Sequence, residues 1–417
     1  MIQQTLHLYR SAYQGLSPSV WLLAGVMLIN RCGTMVLPFL TLYLTQHLHY
    51  SVTDAGIVMA VYGSGAFVGT FLGGRLTDRF GFYHTQLFSL LFSGFFLLGL
   101  QFVTHFYALC ASVFIFTLLG DAFRPANQTA IAHYSDADSR TRAFSLNRLA
   151  INLGWAVGGG LGGFLAGIDY SLLFWVDGLT CIAAGLVLGA LLPAPNRVED
   201  NQATSAVKDA QQDTVQVVKS PYRDVLFLVF VCFVACYLMV FMQLFSIVPL
   251  FFKQVVHLNE QQIGALMALN GILIVIIEMA LVHSLEQQKR SKIRLITWGV
   301  LLTAVSYFSL GLGNQIAIAF VYVVLVTISE MLTIPFIQSF TVDRSSPATR
   351  GQYLGLYAMG GALAQTAAPA FGSFMVEQFG FQTHWLVITA ISLVTAGGFW
   401  WLAKALETKP HEISINY

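Results

Sequence analysis

Residues 18–46 read PSVWLLAGVMLINRCGTMVLPFLTLYLTQ. A helix crosses the hydrocarbon core of a bilayer with about 20 apolar residues. This run supplies them with one charge, Arg31, in its middle. Charge in hydrocarbon costs roughly 2.5–3.5 kcal/mol on insertion scales, so an arginine kept there needs a partner or a task. The run is therefore read as a membrane-spanning helix carrying a functional group.

The same pattern repeats outward along the chain. Further apolar runs cover 52–74, 85–104, 107–133, 142–167, 171–193, 223–252, 260–283, 293–312, 315–341, 350–376 and 381–403, making twelve predicted spans. Composition agrees: 56% of residues are hydrophobic and 10% charged, against about 45–50% and 25% in soluble domains. Mean hydropathy is +0.69. These values exclude a soluble enzyme with a large core. Net charge is +1 and no basic tract with interleaved aromatics occurs, so no nucleic-acid partner is expected. The five cysteines lie in apolar runs without metal-site spacing and read as small buried hydrophobes. Residues 1–19 lack an apolar core with a cleavage site, so no removable signal peptide is expected.

The polar stretch 194–222 divides the spans six and six. The expected domains are an N-terminal bundle (1–193), a cytoplasmic linker (194–222) and a C-terminal bundle with a short tail (223–417). Seventeen of the 21 Lys and Arg fall on alternate connections with the two termini, for example Arg75, Arg79, Arg142, Lys292 and Arg344, while Lys253 stands alone opposite. Basic residues mark the cytoplasmic side, so both termini are expected in the cytoplasm of a bacterial inner membrane. Shifting the sequence by half its length superposes Gly56 on Gly264, Gly63 on Gly271, Asp78 on Glu286 and Arg142 on Arg350. A parallel repeat of this kind places a substrate site near the midplane.

Two motifs name a family. Gly74-Arg75-Leu76-Thr77-Asp78-Arg79-Phe80-Gly81, between the second and third spans, resembles the loop motif of the major facilitator superfamily; Phe82 and Tyr83 stand where the family has two basic residues. In the fifth span, Gly154, Gly158, Gly162 and Gly163 resemble the antiporter motif, with Gly159 in place of its proline. The chain is most similar to bacterial twelve-helix drug or dipeptide efflux permeases driven by proton antiport. Glu330, five residues before Pro335, also resembles proton-coupled peptide transporters, although their first-span Glu-Arg-Phe motif is absent. The resemblance implies an all-α membrane fold of two pseudo-symmetric six-helix bundles. It also implies a latch in which Asp78 meets the helix opening at Gly351, and a bending role for the fifth-span glycines. Independently, glycines at four-residue spacing let a neighbouring helix approach closely.

The intramembrane charges are the candidate site. Arg31 and Arg124 are expected to hold a substrate carboxylate, though Arg124 could instead pair with Asp121 three residues away. Glu330 is expected to carry a proton or bind an amine. Asp121 and Glu278 are further proton-coupling candidates, Glu278 equally explained by a local polar contact. Arg148 lies near a span end and can snorkel. Tyr62, Asn152, Tyr237, Asn270 and Gln338 are candidate polar lining. Asp177, two turns into the sixth span, reads as a structural group near the outer interface. No phosphate-binding loop, metal cluster or nucleophile–base set is present in the sequence, so no cofactor and no enzymatic reaction are expected, and the proton gradient is the natural energy source. The expected function is secondary transport of a small organic solute by a monomer in the bilayer, as proton-coupled export of a drug or small zwitterion. The alternative is proton-coupled import of peptides or other zwitterions.

Overall fold

A computed structural model describes residues 15–135, 139–193, 221–288, 290–345 and 349–407, with the side chains of 140, 141, 279, 283, 286, 287, 350 and 351 outside the description. The expected linker up to residue 220, Arg10, the Glu286 side-chain echo and the Gly351 side of the latch lie outside the described residues.

Among the described residues every element is helical. The spans are α1 (Pro18–His47), α2 (Val52–Phe80), α3 (Phe82–Leu100), α4 (Phe106–His133), α5 (Arg140–Ala166), α6 (Ser171–Leu191), α7 (Val225–Gln254), α8 (Glu260–Gln287), α9 (Lys292–Leu310) and α10 (Ile316–Arg344). A continuous stretch, Arg350–Glu407, is broken at Gly380 (φ 78°, ψ 167°) into α11 (350–379) and α12 (381–407). At 1.5 Å per residue, 58 residues would be about 87 Å long, nearly three bilayer cores, so the non-helical glycine makes two crossings of one. Twelve spans result.

Boundaries differ from expectation chiefly at α2. The motif predicted as a loop is its helical end: the helix runs to Phe80, and only Gly81 (φ 82°, ψ 156°) connects it to α3. Nothing in Gly74–Phe80 breaks a helix, and Gly81 supplies the positive φ that a one-residue connection requires.

Prolines set the interruptions that matter for the site. A proline lacks an N–H and clashes with the carbonyl four residues back. Pro38 stands four after Thr34, and α1 breaks at Gly33–Met35. Pro125 stands four after Asp121, and α4 is interrupted at Ala122.

The described residues up to Phe39 and from Val61 to Pro193 form one compact unit. Leu40–Ala60 groups with the residues from Pro221 onward in the other, where the Thr53 N–H donates to Glu377 Oε2 (2.6 Å).

Contacts at helix ends check the up–down order within each unit. In the first, Ser17 at the start of α1 donates to the Tyr134 carbonyl after α4 (2.7 Å), Tyr134 donates to the Pro193 carbonyl after α6 (2.8 Å), and Tyr83 at the start of α3 donates to the Gly189 carbonyl in α6 (3.2 Å). In the second, Arg294 in α9 pairs with Glu407 ending α12 (2.6 Å), and Lys292 pairs with Asp343 in α10. Asp224, the N-cap of α7, accepts from Arg344 Nε (2.8 Å), Arg344 Nη2 (3.0 Å) and the Tyr353 hydroxyl of α11 (3.2 Å). Burial pushes the Asp224 carboxyl up, but the Arg344 guanidinium and the Phe227 N–H outweigh it and hold it below the ordinary carboxylate range.

Each unit has its own core. Val20, Leu23, Met27, Phe82, Leu90 and Phe123 pack the first. Rings of Tyr307, Tyr322, Phe251 and Trp385 pack in the second: Tyr307 stacks on Trp385 (5.7 Å) and meets Tyr322 edge to face (5.2 Å), as Phe251 meets Trp385 (5.3 Å). Phe71, Phe88, Phe92 and Phe95 are exposed, as expected of phenylalanines that face lipid.

Candidate functional site

The first unit holds a small polar cavity of about 60 Å³ where α1, α2, α3, α4 and α6 meet. Arg31, Tyr62, Asp121 and Asp177 line it together with Asn30 and Cys181. A water needs about 10–15 Å³ of such space, so the cavity has room for a few waters rather than a dipeptide.

The break in α1 shapes this cavity. The interruption frees N–H groups that a membrane interior cannot solvate. Asp177, 5% exposed, takes up the slack: its Oδ2 accepts the Val36 N–H at 3.4 Å, and its other oxygen accepts from the Cys181 thiol at 3.8 Å. Cys181 in turn accepts from Asn30 Nδ2 (3.4 Å). The Met35 N–H also interacts with the Asp177 carboxylate.

Arg31 sits immediately before the break. Among the described residues it makes no ion pair or hydrogen bond, and its Nε is buried without a partner. Its charge is felt by Asp177 and Cys181, and it feels Arg124, Asp121 and Tyr62. Arg124 behaves differently. Its Nε lies 2.5 Å from Asp121 Oδ1, so the i, i+3 pair is formed. The Arg124 side chain is nonetheless 47% exposed, against 10% for Asp121. The pair carries Asp121 into the cavity wall and leaves one face of the guanidinium open.

α5 holds α1 in place. A Cβ on Gly154 would collide with the Arg31 Cβ, one on Gly158 would come within 3.1 Å of the Arg31 carbonyl and 3.2 Å of that of Cys32, and one on Gly162 would meet Met35 and Phe39 at 3.1 Å. The predicted close-approach face is thus packed along the broken stretch that carries Arg31. Gly163 is buried beside it. A second small-residue stripe, Gly65, Gly69 and Gly73, was not anticipated; it brings α2 against the α4 backbone at Phe114, Leu118 and Ala122.

The second unit carries a separate polar cluster. Asn270 of α8 donates to Thr327 Oγ1 (2.9 Å) and to Glu330 Oε2 (3.4 Å) of α10. Tyr237 of α7 is 1% exposed and its charge environment includes Glu330. Thr303 and Ser329 share a hydrogen bond just before Glu330. Gln338, two turns beyond, is exposed, and Glu278 is 8% exposed on α8. On α5, Arg148 and Asn152 are half-buried and do not line the Arg31 cavity.

The structure therefore gathers Arg31, Tyr62 and Asp121 into one cavity, and Asn270, Tyr237 and Glu330 into another cluster. Asp177 is enclosed beside Arg31, its carboxylate turned to the α1 break rather than to the surface. The signal that points to it is the Gly33–Pro38 break, whose stranded N–H groups demand an acceptor from another span.

The motif at the end of α2 is exposed at Arg75, Asp78 and Arg79, with Gly74 and Gly81 half-buried. Arg75 lies over the Phe71 ring (4.4 Å) and Arg79 over that of Phe80 (5.3 Å).

Comparison with known proteins agrees with this architecture. The sequence model described as Major Facilitator Superfamily matches residues 22–347 and 292–415. The chain is 21% identical to the uncharacterized MFS-type transporter YqjV of Bacillus subtilis, over 97% of this chain and 98% of that protein. It is 22% identical to the multidrug resistance protein MdtH of an Enterobacter species, over 91% and 93%. Among solved structures, a POT family transporter in complex with 5-aminolevulinic acid superposes with a TM-score of 0.77 at 13% identity, covering 97% of this chain and 98% of the other. A D-xylose-proton symporter superposes at 0.73 and 15% identity, covering 92% and 96%.

Proposed function

The chain belongs to the major facilitator superfamily, and from that premise we propose that it is a proton-coupled exporter of small organic solutes that bear a carboxylate, an amine or both. It works by alternating access in a bacterial inner membrane, as a monomer, with both termini in the cytoplasm. The observation that carries this reading is the unpaired Arg31 in the polar cavity of the first unit. A guanidinium kept in a span without a salt bridge is a ready partner for an anionic group of the substrate. Glu330 supplies the second function, exchanging a proton or meeting an amine, with Asn270 orienting its carboxylate. Asp121 holds Arg124, and so tunes the positive field around Arg31. The likeness to a multidrug resistance protein supports export.

Import by proton symport is the second reading. Glu330 five residues before Pro335 supports it, as does the likeness to a transporter captured with a small zwitterion, 5-aminolevulinic acid.

Glu330→Gln in proteoliposomes tests the coupling. Flux driven by an imposed pH gradient is expected to vanish while exchange at equal substrate concentrations continues. Gradient-driven flux that survives the substitution would remove Glu330 from the proton path. The sign of the driving gradient decides direction: antiport predicts uptake into vesicles driven by an outwardly directed proton gradient (acid lumen), and symport predicts uptake driven by an inwardly directed one.

A further inference from the structure

We propose that Asp177 is a proton-binding group of the first unit, and that its protonation state controls the break in α1 and the charge seen by Arg31. The inference rests on the proton-coupled reading only for its part in transport.

Three observations converge on this residue. Its carboxylate is enclosed, yet it forms no salt bridge with any described cation. Its contact to the Val36 N–H is long, at 3.4 Å, beyond the usual 2.7–3.2 Å of N–H···O bonds, and its other oxygen takes only the weak thiol donor of Cys181. It faces a cavity large enough for water, so a proton has a route to it. It has no salt bridge to hold its charge, only backbone N–H groups of the α1 break and a thiol.

The groups around it define the switch. Arg31 faces it from α1, Tyr62 from α2 and Cys181 from its own helix, while Asp121, tied to Arg124, lines the same cavity from α4. α3 contributes Leu90 and Ser93, which do not titrate. α5 offers glycines to this stretch.

When ionised, Asp177 accepts the N–H groups that the break leaves free and opposes the charge of Arg31. When a proton from cavity water forms an O–H bond on the carboxyl, that negative charge is lost. The Val36 N–H is then held more weakly, and Arg31 stands unopposed. Proton binding here and carboxylate binding at Arg31 therefore favour each other, and by linkage each raises the affinity for the other.

The test uses the full-length protein carrying Glu330→Gln in liposomes, with difference infrared spectra taken across a pH titration. Among the carboxylic-acid carbonyl bands that grow as pH falls, one component is expected to be lost when Asp177→Asn is added to Glu330→Gln, the other carboxyls keeping theirs. In the unsubstituted protein, amide exchange of the segment 33–39, corrected for its intrinsic pH dependence, is expected to rise as that band appears. This second measurement decides the matter even if Asp177→Asn fails to fold. Carbonyl difference spectra that Asp177→Asn leaves unchanged, or exchange at 33–39 that is flat across the titration, overturns the proposal. Absence of proton-driven flux in the unsubstituted protein, with the Asp177 band intact, overturns proton-coupled transport and leaves the Asp177 site standing.

Discussion

A half-buried arginine without a salt bridge is costly in a span, and Arg31 shows how that cost separates stability from function. Its Nε is buried and unsatisfied in the first unit. No salt bridge offsets its desolvation as Asp121 offsets that of Arg124; the carboxylates of Asp121 and Asp177 act on it only across the cavity. Arg31→Met is therefore expected to stabilise the purified protein by on the order of 1 kcal/mol, because apolar replacement of a buried charge is often neutral or favourable. For a unit of 150–250 residues this is a rise of about 2–4 °C in melting midpoint. Transport of carboxylate-bearing solutes is expected to be lost in the same variant. A thermal-shift measurement beside a flux assay checks both, and a fall in midpoint would mean that Arg31 is a structural residue. The charges themselves were legible in the sequence, because each stands out in an apolar run. Their partners were legible only where local: Asp121 and Arg124 are three residues apart, whereas Asp177 meets α1 through tertiary packing that no spacing encodes.

The helix that carries Arg31 owes its path to its neighbour. Gly154, Gly158 and Gly162 present a flat backbone face of α5 to the α1 break, where helical hydrogen bonds are missing and the chain is easily displaced. Gly158→Val would drive two methyl groups toward the carbonyls of Arg31, Cys32 and Thr34, which lie 3.1–3.3 Å from a Cβ at that position. Overpacking of this kind costs typically 1–3 kcal/mol. The variant is expected to reach the membrane with its melting midpoint lowered and flux reduced at least tenfold, whereas Gly397→Val, at a glycine with open space around its Cβ, leaves both near the native values. Equal effects at the two positions would show that α5 does not position α1. At this scale the four-residue glycine spacing was readable because it is a property of one helix. The partner it packs against was not, since small residues mark a close approach without saying whose. The end of α2 lies beyond its apolar run for a related reason: the polar residues after Gly74 end the hydropathy signal but not the helix, and a single positive φ at Gly81 is enough to turn the chain.

Across the whole molecule, hydropathy alone placed the twelve spans, because burial in hydrocarbon imposes one rule on every segment. Orientation follows from a second, independent pattern, the concentration of basic residues on alternate connections. The two patterns constrain each other, since one span too many or too few would scatter the basic residues over both sides. End contacts in the second unit add a structural constraint: Gln382, just beyond the Gly380 break, donates to the Gly311 carbonyl after α9 (2.8 Å), while Arg294 at the start of α9 reaches Glu407 at the end of α12. The turn at Gly380 and the α9–α10 connection therefore share one end of the unit, and the starts of α9 and α11 share the other. With both termini in the cytoplasm, a cysteine at Asn314 faces outward and one at Gln288 faces inward. In a background with Cys32, Cys110, Cys181, Cys232 and Cys236 replaced, a membrane-impermeant maleimide is expected to label Asn314→Cys in intact cells and Gln288→Cys only after permeabilisation. Both positions are exposed, so accessibility reports topology rather than packing. Labelling with the sides exchanged would invert every span, and with it the assignment of the Asp78 end of α2 to the cytoplasm and the direction of proton-driven flux expected for Glu330.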